Sequence, residues 1–246
     1  ESAVDLSTIP VENVDRIEVY RGYIPARFGG ASMGGVINIV TITPQKAGGS
    51  VTLGAGSFGR FTGGFTYNSP LGGGSLLASA NFDRTDGDFS YWNDNNTPYT
   101  PSDDYDADRQ NNGYKNSNVM LKWSDEHWTV EGGWKRNDRE LPYSAPGADK
   151  PDSVPGATQV TDQWNAIVTR RDKLGDLDYG LRLEYLYQDK EYDDPHDKIG
   201  GWGEQHNRYK TKRFGAAVDG SLPIGERHML EFLWNYYNEK LTTTGD

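Results

Sequence analysis

From Ser50 onward, apolar and polar residues alternate with a period of two in nine separate segments. Strands with two different faces have this period. The apolar positions are Val51, Leu53 and Ala55; Phe61, Gly63, Phe65 and Tyr67; Leu76, Ala78, Ala80 and Phe82; then Val119, Leu121 and Trp123. They continue with Trp128, Val130, Gly132 and Trp134; Trp164, Ala166 and Val168; and the longest series, Leu177, Tyr179, Leu181, Leu183, Tyr185 and Tyr187. Phe214, Ala216, Val218 and Leu222, then Leu230, Phe232, Trp234 and Tyr236, complete the set. Charges fall on the other parity: Glu131, Lys135, Arg182, Glu184, Arg213, Asp219 and Glu231.

The connections alternate too. Short links ("NSPLGGGS", "SDEH", "KLGD", "PIGER") are interleaved with long polar stretches at about 85–115, 138–161 and 189–207. A meander with all its long loops at one end is the layout of an outer-membrane barrel. Tryptophans 123, 128, 134, 164 and 234 lie near strand ends or on the apolar face, as an aromatic girdle would. A dry soluble core would not hold this many charges, because each needs a partner or costs several kcal/mol. A wet lumen or a polar plug would. The fold class expected is therefore an all-β membrane barrel. A one-sided soluble sheet would leave its apolar face uncovered.

Residues 1–43 break the pattern. "IPVENVDRIEVYRG" reads as a short turn or helix start and then a strand at Arg16–Tyr20, and "GGVINIVTIT" as a second strand, with the glycine-rich "RGYIPARFGGASM" between them. No Lys-Ser or Lys-Thr pair follows these glycines, so they are not a phosphate-binding loop. "GAGSFG" at 54–59 matches a dinucleotide fingerprint literally, but "RFTGGFTYN" after it alternates as a strand, so it reads as a hairpin turn. "VENVDRIEVYRG", followed at fixed spacing by "RFGGASMGGVINIVT", resembles the C-terminal half of the plug domain of TonB-dependent outer-membrane receptors. The motif positions are Arg16, Glu18, Arg21, Gly22, Gly29, Gly34, Gly35 and Asn38.

The resemblance implies a 22-strand plugged barrel, with about nine strands present and part of an α/β plug ahead of them. Residues 1–43 would be plug, 44–49 a linker and 50–246 barrel. The function implied is TonB-driven import of a scarce large nutrient. A ferric siderophore comes first; cobalamin, haem and glycans are alternatives. The implied partners are the rest of the receptor, TonB, outer-membrane lipid with lipopolysaccharide, and a small metal chelate. The chain is expected to be a piece of a longer receptor.

Strand parity offers Arg16, Arg21 and Arg27 of the plug to Glu131, Glu184 and Glu231 of the lumen. Charge-assisted pairs would seat the plug; the alternative is that these arginines bond local backbone. Residues 86–108 carry seven aspartates and no Lys or Arg, interleaved with aromatics. Tyr91, Trp92, Tyr99, Tyr105 and the nearby Arg109 are the candidate ligand contacts. The aspartate spacing matches no calcium loop, and His196 and His206 read as exposed loop residues.

Composition narrows the rest. The 246 residues are 12% aromatic, too rich for disorder, at a net charge of -11. That charge argues against nucleic acid. There are no cysteines, hence no disulfides. No nucleophile motif or metal-ligand spacing suggests an enzyme, and no cofactor or metal is called for. A passive porin would share the strands but lack the plug-like lead-in. A soluble carbohydrate-binding sandwich would have no reason to gather its long loops at one end.

Overall fold

The computed structural model describes residues 14–22, 24–29, 35–42, 46–95, 97–142, 156–197 and 203–245. Two strands, β1 (Val14–Tyr20) and β2 (Val36–Thr41), form an antiparallel hairpin, with a 3-10 turn at Ala26–Phe28 between them. The pairing runs from Tyr20↔Val36 to Val14↔Thr41, with a bulge at Asp15.

Nine further strands make one antiparallel sheet in chain order: β3 (Gly48–Ala55), β4 (Phe61–Leu71), β5 (Gly74–Thr85), β8 (Tyr114–Ser124), β9 (Trp128–Glu140), β10 (Thr158–Leu174), β11 (Leu177–Asp194), β12 (Gln205–Ile224) and β13 (His228–Gly245). The two short strands missing from that order, β6 (Ser90–Asn93) and β7 (Tyr105–Asp108), pair with each other in the connection between β5 and β8. The nine alternating segments are the nine sheet strands. Among the described residues there is no α-helix, so the helical component expected of the plug is not seen there.

Register joins the apolar positions of neighbouring strands into continuous rows. One row runs Phe65, Ala80, Val119, Trp134, Trp164 and Tyr187. Another runs Tyr67, Ala78, Leu121, Gly132, Ala166, Tyr185 and Phe214. Among the described residues nothing covers this face: Val51 is 70% and Leu183 51% exposed. The opposite face is the one the β1–β2 hairpin touches, which makes it the inner face and the apolar rows the outer one.

The short connections are tight for local reasons. Gly72, Gly73, Gly175 and Gly225 supply the positive φ such turns need. Between β8 and β9, Asp125 does the same work with its side chain, accepting the N–H groups of His127 (2.9 Å) and Trp128 (2.6 Å). The "GAGSFG" run is the β3–β4 turn, closed by Gly56 N–H to the Arg60 carbonyl at 2.9 Å.

Three boundaries differ from expectation. Strand β3 begins at Gly48, inside the expected linker. The connection expected at 138–161 is 141–157, and that expected at 189–207 is 195–204, because β9 to β12 run further. The stretch at 85–115 contains the β6–β7 hairpin.

Candidate functional site

The inner site begins with Glu18 on β1. Its cross-strand partner is Asn38. The carboxylate accepts from Asn38 Nδ2 (2.9 Å), Tyr20 Oη (2.9 Å) and Arg16 Nε (2.8 Å). Donors from Asn38 first, then Tyr20 and Arg16, stabilise the charged form and pull the carboxyl down to about 2. Arg16 is completed by Asp15 at 2.8 Å. The turn at Ala26–Phe28 folds back onto the same strand. Phe28 packs on Tyr20 (centroids 4.8 Å), and the Arg27 guanidinium lies over the Phe28 ring and reaches the Tyr20 hydroxyl at 3.4 Å.

Gly35 closes the hairpin at φ +129. A Cβ there would sit 2.6 Å from the Tyr20 carbonyl oxygen, so only glycine fits. Gly22 and Gly29 also take positive φ, while Gly34 lies outside the described residues.

Two wall residues grip this hairpin. Lys122 of β8, 9% exposed, donates to the Thr41 hydroxyl (2.7 Å) and carbonyl (3.3 Å). Glu231 of β13 accepts the backbone N–H of Ala26 at 3.3 Å. The hairpin is thus held from an edge strand, β13, and from β8, which lies next to the middle strand of the sheet.

This differs from the expected arginine–glutamate pairing. Arg16 and Arg27 are engaged within the hairpin, and Arg21 is exposed. Glu184 pairs with the wall arginines Arg182 (2.8 Å) and Arg213 (3.7 Å). Glu131 stands opposite Lys122 in the register. Of the three wall carboxylates, Glu231 alone has a hydrogen bond to the hairpin among the described contacts, and its donor is backbone. Lys122 and Thr41 were missed as a pair. The available signal was a single cation between Leu121 and Trp123, on the inward parity of a strand that otherwise presents small or neutral groups.

At the end where the long connections gather, the acidic stretch is internally tied. Trp92 Nε1–H donates to Asp104 (3.2 Å) and Asn93 to the Tyr105 hydroxyl (3.1 Å). Asp103 accepts from Asn95 (3.1 Å) and Thr97 (2.8 Å), and these bonds, Asn95 foremost, hold its carboxyl below the usual range. Phe58, Phe89 and Tyr91 form an aromatic ladder with centroids 6.2 and 6.1 Å apart. Trp92 and Tyr99 project outward, Tyr99 97% exposed, and the Arg109 N–H is bonded to the Phe89 carbonyl at 2.8 Å. The five ligand-contact candidates therefore share one loop system, in which Tyr91 and Tyr105 are half-buried and Trp92 and Tyr99 are exposed. Among the described residues, no group of three or more His, Asp or Glu is placed to hold a metal. Asn111 bolts the neighbouring connection to this system, donating to the carbonyls of Leu141 (2.6 Å) and Ala157 (2.9 Å).

Residues 1–36 match the TonB-dependent receptor plug domain. The chain is 30% identical over 162 residues to the vitamin B12 transporter BtuB of Photobacterium profundum, covering 62% of this chain and 25% of that protein. It is 45% identical over 58 residues to the vitamin B12 transporter BtuB of Vibrio cholerae, covering 23% and 10% respectively. It is also 46% identical over 50 residues to the ferric enterobactin receptor PirA of Pseudomonas aeruginosa, covering 20% and 7%. The chain thus spans about a quarter of the length of the first of these relatives. Plug-like sequence leading into a hairpin gripped by one face of an antiparallel sheet, together with these matches, makes the chain similar to a part of a TonB-dependent receptor.

Proposed function

We propose that the chain supplies plug sequence (residues 1–43), a linker (44–49) and the opening barrel wall (50–246) of a receptor that actively imports a bulky nutrient across the bacterial outer membrane. TonB drives the import. The apolar outer face lies in lipid, the long connections face the outside of the cell, and other segments of the receptor complete both plug and barrel. The chain is a transporter component and carries out no covalent chemistry.

The observation that carries this reading is the way the hairpin is seated. Lys122 to Thr41 and Glu231 to Ala26 are polar contacts between the hairpin and the wall. A hydrogen bond involving a charged group contributes about 1.5–3 kcal/mol. A few such bonds hold the plug at rest and yield to a pull.

The ligand is a bulky metal chelate. The sequence alone favoured a ferric siderophore. The vitamin B12 transporter of Photobacterium profundum matches over 62% of the chain, against 20% for the ferric enterobactin receptor, so a corrinoid takes first place and a ferric siderophore second. The aspartate-rich loop supports that order, because it repels a strongly anionic ferric complex. The test is growth of a strain lacking the full-length receptor, complemented with it and fed cobalamin or single ferric siderophores, with and without TonB. Rescue on cobalamin that requires TonB is expected. Rescue without TonB overturns active import; rescue on a ferric siderophore alone overturns the corrinoid assignment.

A further inference from the structure

Among the described residues, four that are not glycine take a positive φ: Phe58 (+59), Asn95 (+50), Asn111 (+55) and Asp197 (+51). Asn and Asp visit that region readily. A bulky residue stays there only where its surroundings over-determine it. Phe58 lies in the β3–β4 turn, and what holds it belongs to the next connection. Its carbonyl accepts the N–H of Asp86 (3.0 Å), the N–H of Gly87 (3.3 Å) and the hydroxyl of Thr85 (2.6 Å). Its ring meets Phe89 edge-on. The Thr85 oxygen also accepts from Gly87 N–H at 3.1 Å, so this hydroxyl stands between turn and loop.

The tie continues along the rim. The Gly87 carbonyl accepts from Asn112 Nδ2 at 2.8 Å, and a side chain at Gly87 would collide with the Asn112 carbonyl. Gly113 exchanges two bonds with Glu140. Its N–H donates to the Glu140 carboxylate (3.0 Å), and its carbonyl accepts the Glu140 N–H (2.9 Å). Asn111 adds its bonds to the carbonyls of Leu141 and Ala157, and Ala157 is fully buried. One path of hydrogen bonds therefore joins the β3–β4 turn, the β5–β8 connection and both ends of the β9–β10 connection. The β6–β7 hairpin, with exposed Trp92 and Tyr99, hangs from the middle of that path.

We propose that these three connections form a rigid collar, which holds the β6–β7 hairpin as a preformed platform for the ligand, and that Phe58, Thr85 and Asn112 are its positioning residues. A platform already in place takes a ligand without first being ordered, and affinity rises by the cost avoided. The rings of Trp92 and Tyr99 offer flat apolar contact. The seven aspartates of residues 86–108 disfavour a ligand face that is negatively charged. This inference rests on the reading of the chain as part of an importer that meets its ligand at this end.

The experiment places spin labels on Ser57→Cys and Ser102→Cys, both exposed, in an otherwise cysteine-free full-length receptor. Pulsed electron paramagnetic resonance reads their separation with and without cyanocobalamin. One narrow distance, unmoved by the ligand, is expected. Thr85→Val/Asn112→Ala should broaden it and weaken cyanocobalamin binding about tenfold, the effect of losing a bond or two. Uptake at saturating cyanocobalamin should stay within about twofold, because the occupied platform is the same. Thr85→Ser keeps the hydroxyl and should behave as wild type. A broad distance in the free receptor, or a shift on binding, overturns the collar and makes the hairpin a closing lid. Unchanged affinity in the double variant, or maximal uptake that falls with it, denies these residues the positioning role. A wild-type receptor that binds no cyanocobalamin overturns the corrinoid assignment, while the distance in the free receptor still decides the collar.

Discussion

Replacing Lys122 with methionine should loosen the plug hairpin from the wall without disturbing the wall itself. Methionine is unbranched and fills the same slot. What is lost is a charged donor to the Thr41 hydroxyl at 2.7 Å and carbonyl at 3.3 Å, in a site 9% exposed where water does not readily replace it. The shorter bond dominates. A hydrogen bond to a charged group contributes about 1.5–3 kcal/mol, and 1.4 kcal/mol is a factor of ten. Local opening of β2 should therefore become about ten- to a hundredfold more frequent. Hydrogen–deuterium exchange on the full-length receptor reads this at the amides of Asn38–Thr41. Thr41→Val removes only the hydroxyl contact and should show a smaller increase. Combined with Lys122→Met it should add little, because both changes break one interaction. If Lys122→Met leaves β2 exchange within about twofold of wild type, Lys122 does not hold the plug and the seating argument fails.

Other outcomes follow from the same geometry. Glu18 has a carboxyl depressed from 4.5 to about 2, so its stabilisation of the hairpin is fully present above pH 4.5 and disappears as pH falls toward 2; a carboxyl NMR titration midpoint near 4.5 would refute this, and Glu18→Gln should flatten the dependence. Gly35→Ala should break the Tyr20↔Val36 end of the pairing, since its Cβ would meet the Tyr20 oxygen at 2.6 Å in a strained backbone costing about 1–3 kcal/mol. Exchange at the Val36 amide is the readout, and an unchanged rate would contradict it. Asn111→Ala removes a donor from the Leu141 carbonyl and leaves the Ala157 carbonyl with the Leu141 N–H alone, so that amide, bonded to Ala157 at 2.8 Å, should exchange about tenfold faster; protection equal to wild type would show that Asn111 is no tie.

The nine sheet strands were legible because each has an apolar and a polar side. Leu177–Tyr187 shows both, and the alternation reports it. The same strand continues through Asp189–Asp194 with polar groups on both sides, and β12 begins that way at Gln205–Lys210. Without two unlike sides there is no alternation, so these ends read as loop. The β6–β7 hairpin was hidden for a related reason: four-residue strands held by Asn93–Tyr105 and Ser90–Asp108 bonds leave no apolar period. At the inner site, parity put Glu231 on the face of the sheet that the hairpin touches. It could not say that Glu231 would meet a backbone amide, because backbone donors are identical at every residue. Glu18 likewise reads as a motif position, while its three donors depend on the β1–β2 register placing Asn38 opposite it.

The unbroken cross-strand rows of the wall also restrict how its length can change over generations. A single residue inserted into the middle of β11 would turn every side chain beyond it, sending charges to the apolar side and Leu183 or Tyr185 inward. Two residues inserted together would restore the parity and only shift the rows. Gene copies of such a wall should thus differ by even numbers within the strands. At the 141–157 and 195–204 connections any number is tolerated, so that end of the molecule can diversify by single-codon gains and losses while the lattice below it does not.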